Sequence, residues 1–291
     1  MSGPRPQSSQ AGGHAPGYRT LRWDMDWIMR PLFGIVLAGV AILALVWPEY
    51  FAGMVVLITI LAAYEWHRMV AAGRDYRIET AITAVTAAIA VVTLLTLRQA
   101  MPALLVVAMG ALAAVLVARN RGQDPIWQAL GVVYLGLPAL ALVSLRTFPE
   151  RGWQLIAGLF LIVWATDTGA LIFGKLIGGP RMAPVLSPSK TWAGTIGGSM
   201  TAALVFGCYI WLLGGTLWIA ALFGLIFSAV AHAGDLFESF VKRRFGIKNS
   251  VSLIPGHGGV LDRMDSTIFA SVALALLVFG VHFNLLFGIA S

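Results

Sequence analysis

The residues of this chain best suited to chemistry crowd into one stretch, Gly234 to Asp265, which holds Asp235, Glu238, Lys242, Arg243, Arg244, Lys248, Asp262, Arg263 and Asp265. Only 11% of the chain is charged, so the clustering stands out. Ionisable groups beside a bilayer are costly and usually functional. Carboxylates are the usual protein ligands of Mg²⁺, which binds through one or two of them plus substrate phosphates. Lys242 and Arg243 can neutralise phosphate oxygens that such a metal leaves uncovered. The run Pro255-Gly256-His257-Gly258-Gly259 adds a turn whose glycines let backbone amides approach an anion closely. Acids, bases and glycines in this mixture point to handling a phosphate through a metal ion.

Spacing sharpens the candidates. If the apolar span from Leu217 continues as a helix through Arg244, then Asp235, Glu238, Ser239 and Lys242 fall on one face. Asp262 and Asp265 share a face at the start of the last apolar span. N-capping by Asp262 would explain one acid without any function, but it accounts less well for two acids, Arg263 and the preceding His-Gly-Gly. A second cluster lies upstream. Asp167 sits within Trp164–Ala170 of an apolar span, where an unpaired carboxylate costs roughly 2.5–3.5 kcal/mol, so it should face protein or a hydrated cavity. The loop after it carries Lys175, Arg181, Ser187, Ser189, Lys190 and Thr191 among Gly and Pro, which suits a triphosphate or an ordinary positively charged loop.

Three smaller features read as structural or open. Glu65-Trp66-His67-Arg68 reads as an interfacial anchor, and Gly194, Gly197 and Gly198 as a close helix contact. His232, one turn ahead of Asp235, either orders that acid or is an internally bonded helix histidine. The sole cysteine, Cys208, excludes an internal disulfide and a Cys-based zinc site and reads as a lipid-facing or packing residue.

The elements that must position these groups are membrane helices. Hydrophobic residues make up 58% of the 291 residues and mean hydropathy is +0.83. Crossing a hydrocarbon core takes about 20 apolar residues per helix. Apolar runs near Pro31–Trp47, Phe51–Trp66, Ala81–Leu97, Pro102–Ala118, Ile126–Leu145, Trp153–Phe173, Thr191–Leu213, Leu217–Gly234 and Met264–Ala290 predict an all-α polytopic protein with about nine transmembrane helices. Seventeen of the 20 Lys and Arg residues then fall on one side, leaving Arg98, Arg146 and Arg151 on the other. By the positive-inside rule the N-terminus is cytoplasmic. Residues 1–25 read as a disordered cytoplasmic tail, 26–150 as N-terminal transmembrane helices and 151–291 as a C-terminal transmembrane catalytic region, all of one continuous membrane domain. The first span is expected to remain as an anchor rather than to be cleaved. A net charge of +7 on the cytoplasmic face suits anionic headgroups and nucleotides, and nothing suggests nucleic-acid binding.

Together these residues resemble the phosphatidate cytidylyltransferase (CDP-diacylglycerol synthase) family. The likeness rests on Ser239, Lys242, Arg243, Lys248, His257, Gly258, Gly259, Asp262, Arg263 and Asp265 at the family's spacing. The Asp-Thr-Gly-Ala of Asp167 to Ala170 and the Ser-Pro-Ser-Lys-Thr-Trp of Ser187 to Trp192 follow in the expected order, so the likeness covers roughly residues 160–270. Asn249 replaces an expected Asp, Val251 a small residue and Ala193 a common Glu.

The resemblance implies transfer of CMP from CTP to phosphatidic acid, giving CDP-diacylglycerol and pyrophosphate. It implies one or two Mg²⁺ ions held by Asp235, Asp262 and Asp265, with Asp167 in support. Catalytic residues would be Asp235, Ser239, Lys242, Asp262 and Asp265. Asp167, Ser187, Lys190, Thr191, Arg243, Lys248, His257, Gly258, Gly259 and Arg263 would bind substrate, His257 orienting it or contacting phosphate. The expected setting is a bacterial cytoplasmic (inner) membrane, the site facing the cytoplasm among membrane lipids. Small-residue helix faces suit association as a homodimer. A CTP-dependent polyprenol or phytol kinase is the alternative reading, and a transporter a remoter one, since no internal repeat is present.

Overall fold

The computed structural model describes residues 47–247 and 259–280. In chain order these residues form helices α1 (Pro48–Val70), α2 (Arg77–Leu97), α3 (Ala100–Asn120), α4 (Pro125–Arg146) and α5 (Gly152–Leu176). A short hairpin of β1 (Arg181–Ala183) and β2 (Ser187–Thr191) follows, then α6 (Trp192–Leu212), α7 (Leu217–Arg244) and α8 (Leu261–Gly280). All eight helices are long and apolar enough to cross a membrane, and the protein is an integral membrane protein. They match eight of the expected spans; the first, Pro31–Trp47, lies almost wholly outside the described residues, as does the N-terminal tail.

Local sequence sets the helix starts. Pro48 and Pro125 open α1 and α4, where the missing N–H costs nothing. Asp124 caps α4, its side chain accepting from the Ile126 amide at 3.0 Å. An apolar core then runs through the described helices, from Phe51 and Val91 through Val107 and Val143 to Leu159, Phe206 and Leu274, and a second cluster gathers Trp66, Tyr134, Val241 and Leu261. Leu57, Val85, Leu105, Leu116, Leu204 and Leu222 point outward instead, as lipid-facing residues do. Cys208 is exposed on α6, in keeping with a lipid-facing residue.

Two expectations need correction. The segment between α5 and α6 is not simply a loop: β1 and β2 pair antiparallel, with Arg181 opposite Thr191 and Ala183 opposite Ser187. The Glu65–Arg68 group is not an interfacial anchor, because α1 packs against α2 and α4 at this level. Glu65, Trp66 and His67 are buried there, and only Arg68 is exposed. Trp66 donates from Nε1 to the Trp127 carbonyl at 3.0 Å. His67 lies between Gln128 Oε1 (2.5 Å) and Thr83 Oγ1 (2.7 Å), so its polar atoms are satisfied inside the bundle. Nearby, Arg121 bridges buried Glu79 (3.4 Å) and Asp75 (2.9 Å). The hydrogen bond from Arg121 holds the Asp75 carboxyl below its ordinary range.

The α5–α6 contact positions half of the candidate site. A Cβ at Gly198 would stand 2.6 Å from the Thr166 carbonyl oxygen, and one at Gly194 would stand 2.8 Å from that of Ala170. These glycines serve the close helix packing read from sequence. Gly198→Val is therefore expected to force the helices apart and cost about 1–3 kcal/mol. Its thermal midpoint in detergent should fall, while that of Gly53→Ala, whose Cβ would meet nothing within 4 Å, should not.

Candidate functional site

Helix α7 continues past the expected Gly234 to Arg244, a length of 28 residues. At 1.5 Å per residue it extends about 42 Å, beyond a hydrocarbon core of roughly 30 Å. Its charged last turns can thus stand clear of lipid. Asp235, Glu238, Ser239 and Lys242 occupy the single face anticipated from their spacing, and the N-terminal turn of α8 lies against it. The approach is close at Gly234, where a Cβ would sit 2.5 Å from the Asp265 carbonyl oxygen.

Cations and acids alternate across this junction. Lys242 Nζ lies 2.8 Å from Asp262 Oδ1 and 3.3 Å from Glu238 Oε1, so one ammonium joins α7 to α8. Glu238 is 1% exposed. Lys190, on β2, forms an ion pair with Asp235. Arg243 Nε donates to the Leu186 carbonyl at 3.4 Å, a second tie between α7 and the hairpin. Asp167 is exposed on α5, and the charges of Asp235 and Lys190 act on it. Asp265 likewise lies within electrostatic reach of Asp235 and Asp167. The two segments singled out in sequence, far apart along the chain, thus meet in one site.

Other expected residues have defined places. Thr191 is the N-cap of α6, its Oγ1 accepting from the Gly194 amide at 3.1 Å. Ser187 and Ser239 are half-buried, Arg263 is exposed and Gly259 is buried. Lys248, Asn249, Val251, His257 and Gly258 lie outside the described residues. His232 is buried with Nε2 lacking a hydrogen-bond partner among the described residues, so no bond from that atom orders Asp235.

The capping explanation for Asp262 fails. Helix α8 begins at Leu261, which puts Asp262 inside its first turn. The amides of Val260 and Leu261 are instead taken by Glu65 of α1, through Oε1 at 2.8 Å and Oε2 at 2.9 Å. Asp262 is left to meet Lys242.

This site contains hard oxygen donors and compensating cations, the donor chemistry appropriate to Mg²⁺ and phosphate. Among the described residues no three His, Cys, Asp or Glu side chains converge as a ready-made chelate. A metal here would take one or two carboxylates and complete its shell with substrate or water oxygens, as Mg²⁺ commonly does. A cavity of about 280 Å³ is lined by Glu238 and Lys242 of α7 together with Glu65, Arg68 and Met69 of α1.

Residues 28–281 match the sequence profile of the cytidylyltransferase family. The chain belongs to the cytidylyltransferase family. It is 44% identical over 160 residues to the phosphatidate cytidylyltransferases of Brucella melitensis biotype 1 and Brucella suis biovar 1, covering 54% of this chain and 58% of each relative. With the phosphatidate cytidylyltransferase of Staphylococcus aureus (strain COL) it shares 36% over 189 residues, 61% of this chain and 69% of that protein. The matched segment therefore spans somewhat over half the length of the Brucella relatives.

Two residues at this candidate site, Glu238 and Glu65, have roles in the structure that their sequence positions do not reveal. Glu238 shared the predicted face but was assigned nothing, although it lies buried within 3.3 Å of the Lys242 ammonium. Glu65 was misread, since one acid at a helix end carries no signal for a partner on the last helix.

Proposed function

We propose that this chain transfers CMP from CTP to the phosphate of phosphatidic acid, forming CDP-diacylglycerol and releasing pyrophosphate. The observation that carries the reading is the joining of the two motif segments by the Lys190–Asp235 pair and by Lys242 between Glu238 and Asp262. The names of the Brucella and Staphylococcus relatives support the same substrates.

Attack by a phosphatidate oxygen on the α-phosphorus of CTP forms one P–O bond and breaks the bond to the β-phosphate. Two strongly anionic groups must approach, so positioning and charge neutralisation dominate. Phosphatidate is already ionised at neutral pH, and no general base is required. Lys190, Lys242 and Arg243 would exchange their present partners for phosphate oxygens. Ser187 and Ser239 would donate to the same groups.

Asp235 and Asp262 would hold Mg²⁺, with Asp265 and Asp167 in support. When bound, the metal supplies positive charge for the substrate phosphates and the departing pyrophosphate. The site would face the cytoplasm of a bacterial inner membrane, where CTP is available, and the acyl chains would remain in lipid.

The deciding experiment incubates purified protein with phosphatidate, Mg²⁺ and CTP labelled at the α-phosphorus. Label should enter the lipid as pyrophosphate is released. Label that stays in CDP while a polyprenol or phytol, supplied in place of phosphatidate, gains phosphate would instead establish the kinase alternative.

A further inference from the structure

We infer that Glu65 is a positioning residue for this site, holding Asp262 and Asp265 in place from the opposite half of the chain. The inference rests on the cytidylyl-transfer reading for its activity arm and on geometry for the rest.

The first amides of a helix have no intrahelical acceptors and need partners when buried. At the start of α8 two such donors, Val260 and Leu261, both go to the one carboxylate of Glu65, 195 and 196 residues away in sequence. Val260 is 6% exposed, Leu261 1% and Glu65 2%, so water cannot substitute freely. Charge-assisted bonds to backbone N–H groups are short and strong. Their direction also matters, because two amides on two oxygens of one planar group fix both the position and the rotation of the turn they start.

That rotation decides where Asp262 points. It directly follows Leu261 and meets Lys242 at 2.8 Å, while Asp265 begins the next turn of the same face. Glu65 itself is held in the bundle by its helix, where neighbouring Trp66 and His67 are fully buried. A rigid element thus orients the acids assigned to metal and phosphate, as outer-shell partners do in metal sites. The negative charge also sits at the positive end of the α8 dipole. Among acids near the site Glu65 therefore has a different task from Asp262: it binds the backbone rather than the substrate.

The test uses the full chain in detergent and the variants Glu65→Gln, which retains one acceptor oxygen, and Glu65→Ala, which retains none. Mn²⁺ serves as the metal probe, followed by electron paramagnetic resonance; kcat and KM for CTP are read in the labelled assay, and thermal midpoints are recorded. Gln128→Ala disturbs the buried His67–Gln128 contact away from α8 and sets the loss due to instability alone.

Glu65→Gln should weaken Mn²⁺ binding and lower kcat, each by about tenfold or more, with Glu65→Ala worse and KM for CTP changed less. Parental Mn²⁺ affinity and kcat in Glu65→Gln would overturn the inference, as would losses equal to those of Gln128→Ala at matched stability. Absence of Mn²⁺ binding by the parental protein would also overturn it. A parental protein that binds Mn²⁺ but transfers no labelled CMP would sink the proposed reaction, while the Mn²⁺ arm still decides the role of Glu65.

Discussion

Asp262→Ala is expected to reduce CMP transfer by at least about a hundredfold while leaving the protein folded, and Asp235→Ala to do the same. These acids would hold the metal that neutralises developing charge, and losing such stabilisation commonly costs about 10²–10³ in rate. The structure separates this loss from a stability effect. Asp262 does not cap α8, since it lies inside the first turn of that helix, whose leading amides at Val260 and Leu261 are taken by Glu65. Its carboxylate is partly exposed, with 28% of the side chain accessible, so truncation leaves no large buried void. Asp235 is similarly placed at 30%. Each variant does release a lysine: Lys242 keeps Glu238, whereas Lys190 loses the partner that holds it against α7. Labelled-CTP turnover and thermal midpoints, measured on the same preparations, check both claims. Near-normal turnover in both variants would remove these acids from the site.

Much of the scaffold was legible because hydrocarbon allows so few solutions. Apolar length alone located the helices, and the expected spans differ from the described ones mainly at their ends. The i, i+3, i+4, i+7 spacing from Asp235 to Lys242 correctly announced one face, since helical geometry leaves no other outcome when the chain stays helical. The closeness of the two polar segments was also accessible. Helices α6 and α7 are consecutive and packed, so the start of one and the end of the other can share a membrane side.

Which cation meets which acid was not legible. The Lys190–Asp235 and Lys242–Asp262 pairs depend on the rotation of α7 and on the hairpin that lifts Lys190 toward it. That hairpin was itself hidden, because Pro184, Pro188 and the small polar residues around them read as loop. Glu65 was the least accessible. Periodicity reports which face of a helix is buried, whereas an acid buried by bonding to a distant backbone breaks the pattern and resembles an anchor at the headgroups. The same ambiguity misassigned His67, whose partners Thr83 and Gln128 lie on two other helices.

Lys242→Met should produce the largest combined effect, and its two components can be separated. The ammonium lies between Glu238, with 2% of its side chain accessible, and Asp262. Removing one member of a buried ion pair costs about 3–5 kcal/mol because the other charge is left uncompensated. With 16% of the lysine side chain still accessible, the lower end, about 3 kcal/mol, is expected here. Stability should then return when the orphaned acid is neutralised, since replacing both partners of a buried pair is often neutral. Lys242→Met/Glu238→Gln should accordingly unfold near the parental midpoint. Turnover should not return, because neither methionine nor glutamine supplies the positive charge needed as two phosphates approach. Thermal unfolding in detergent and labelled-CTP transfer, applied to the two single variants and the double variant, distinguish these outcomes. Recovery of both stability and turnover in the double variant would make Lys242 the counter-ion of Glu238 and nothing more. Recovery of stability alone assigns its charge to the substrates, with Glu238 keeping it in position between turnovers.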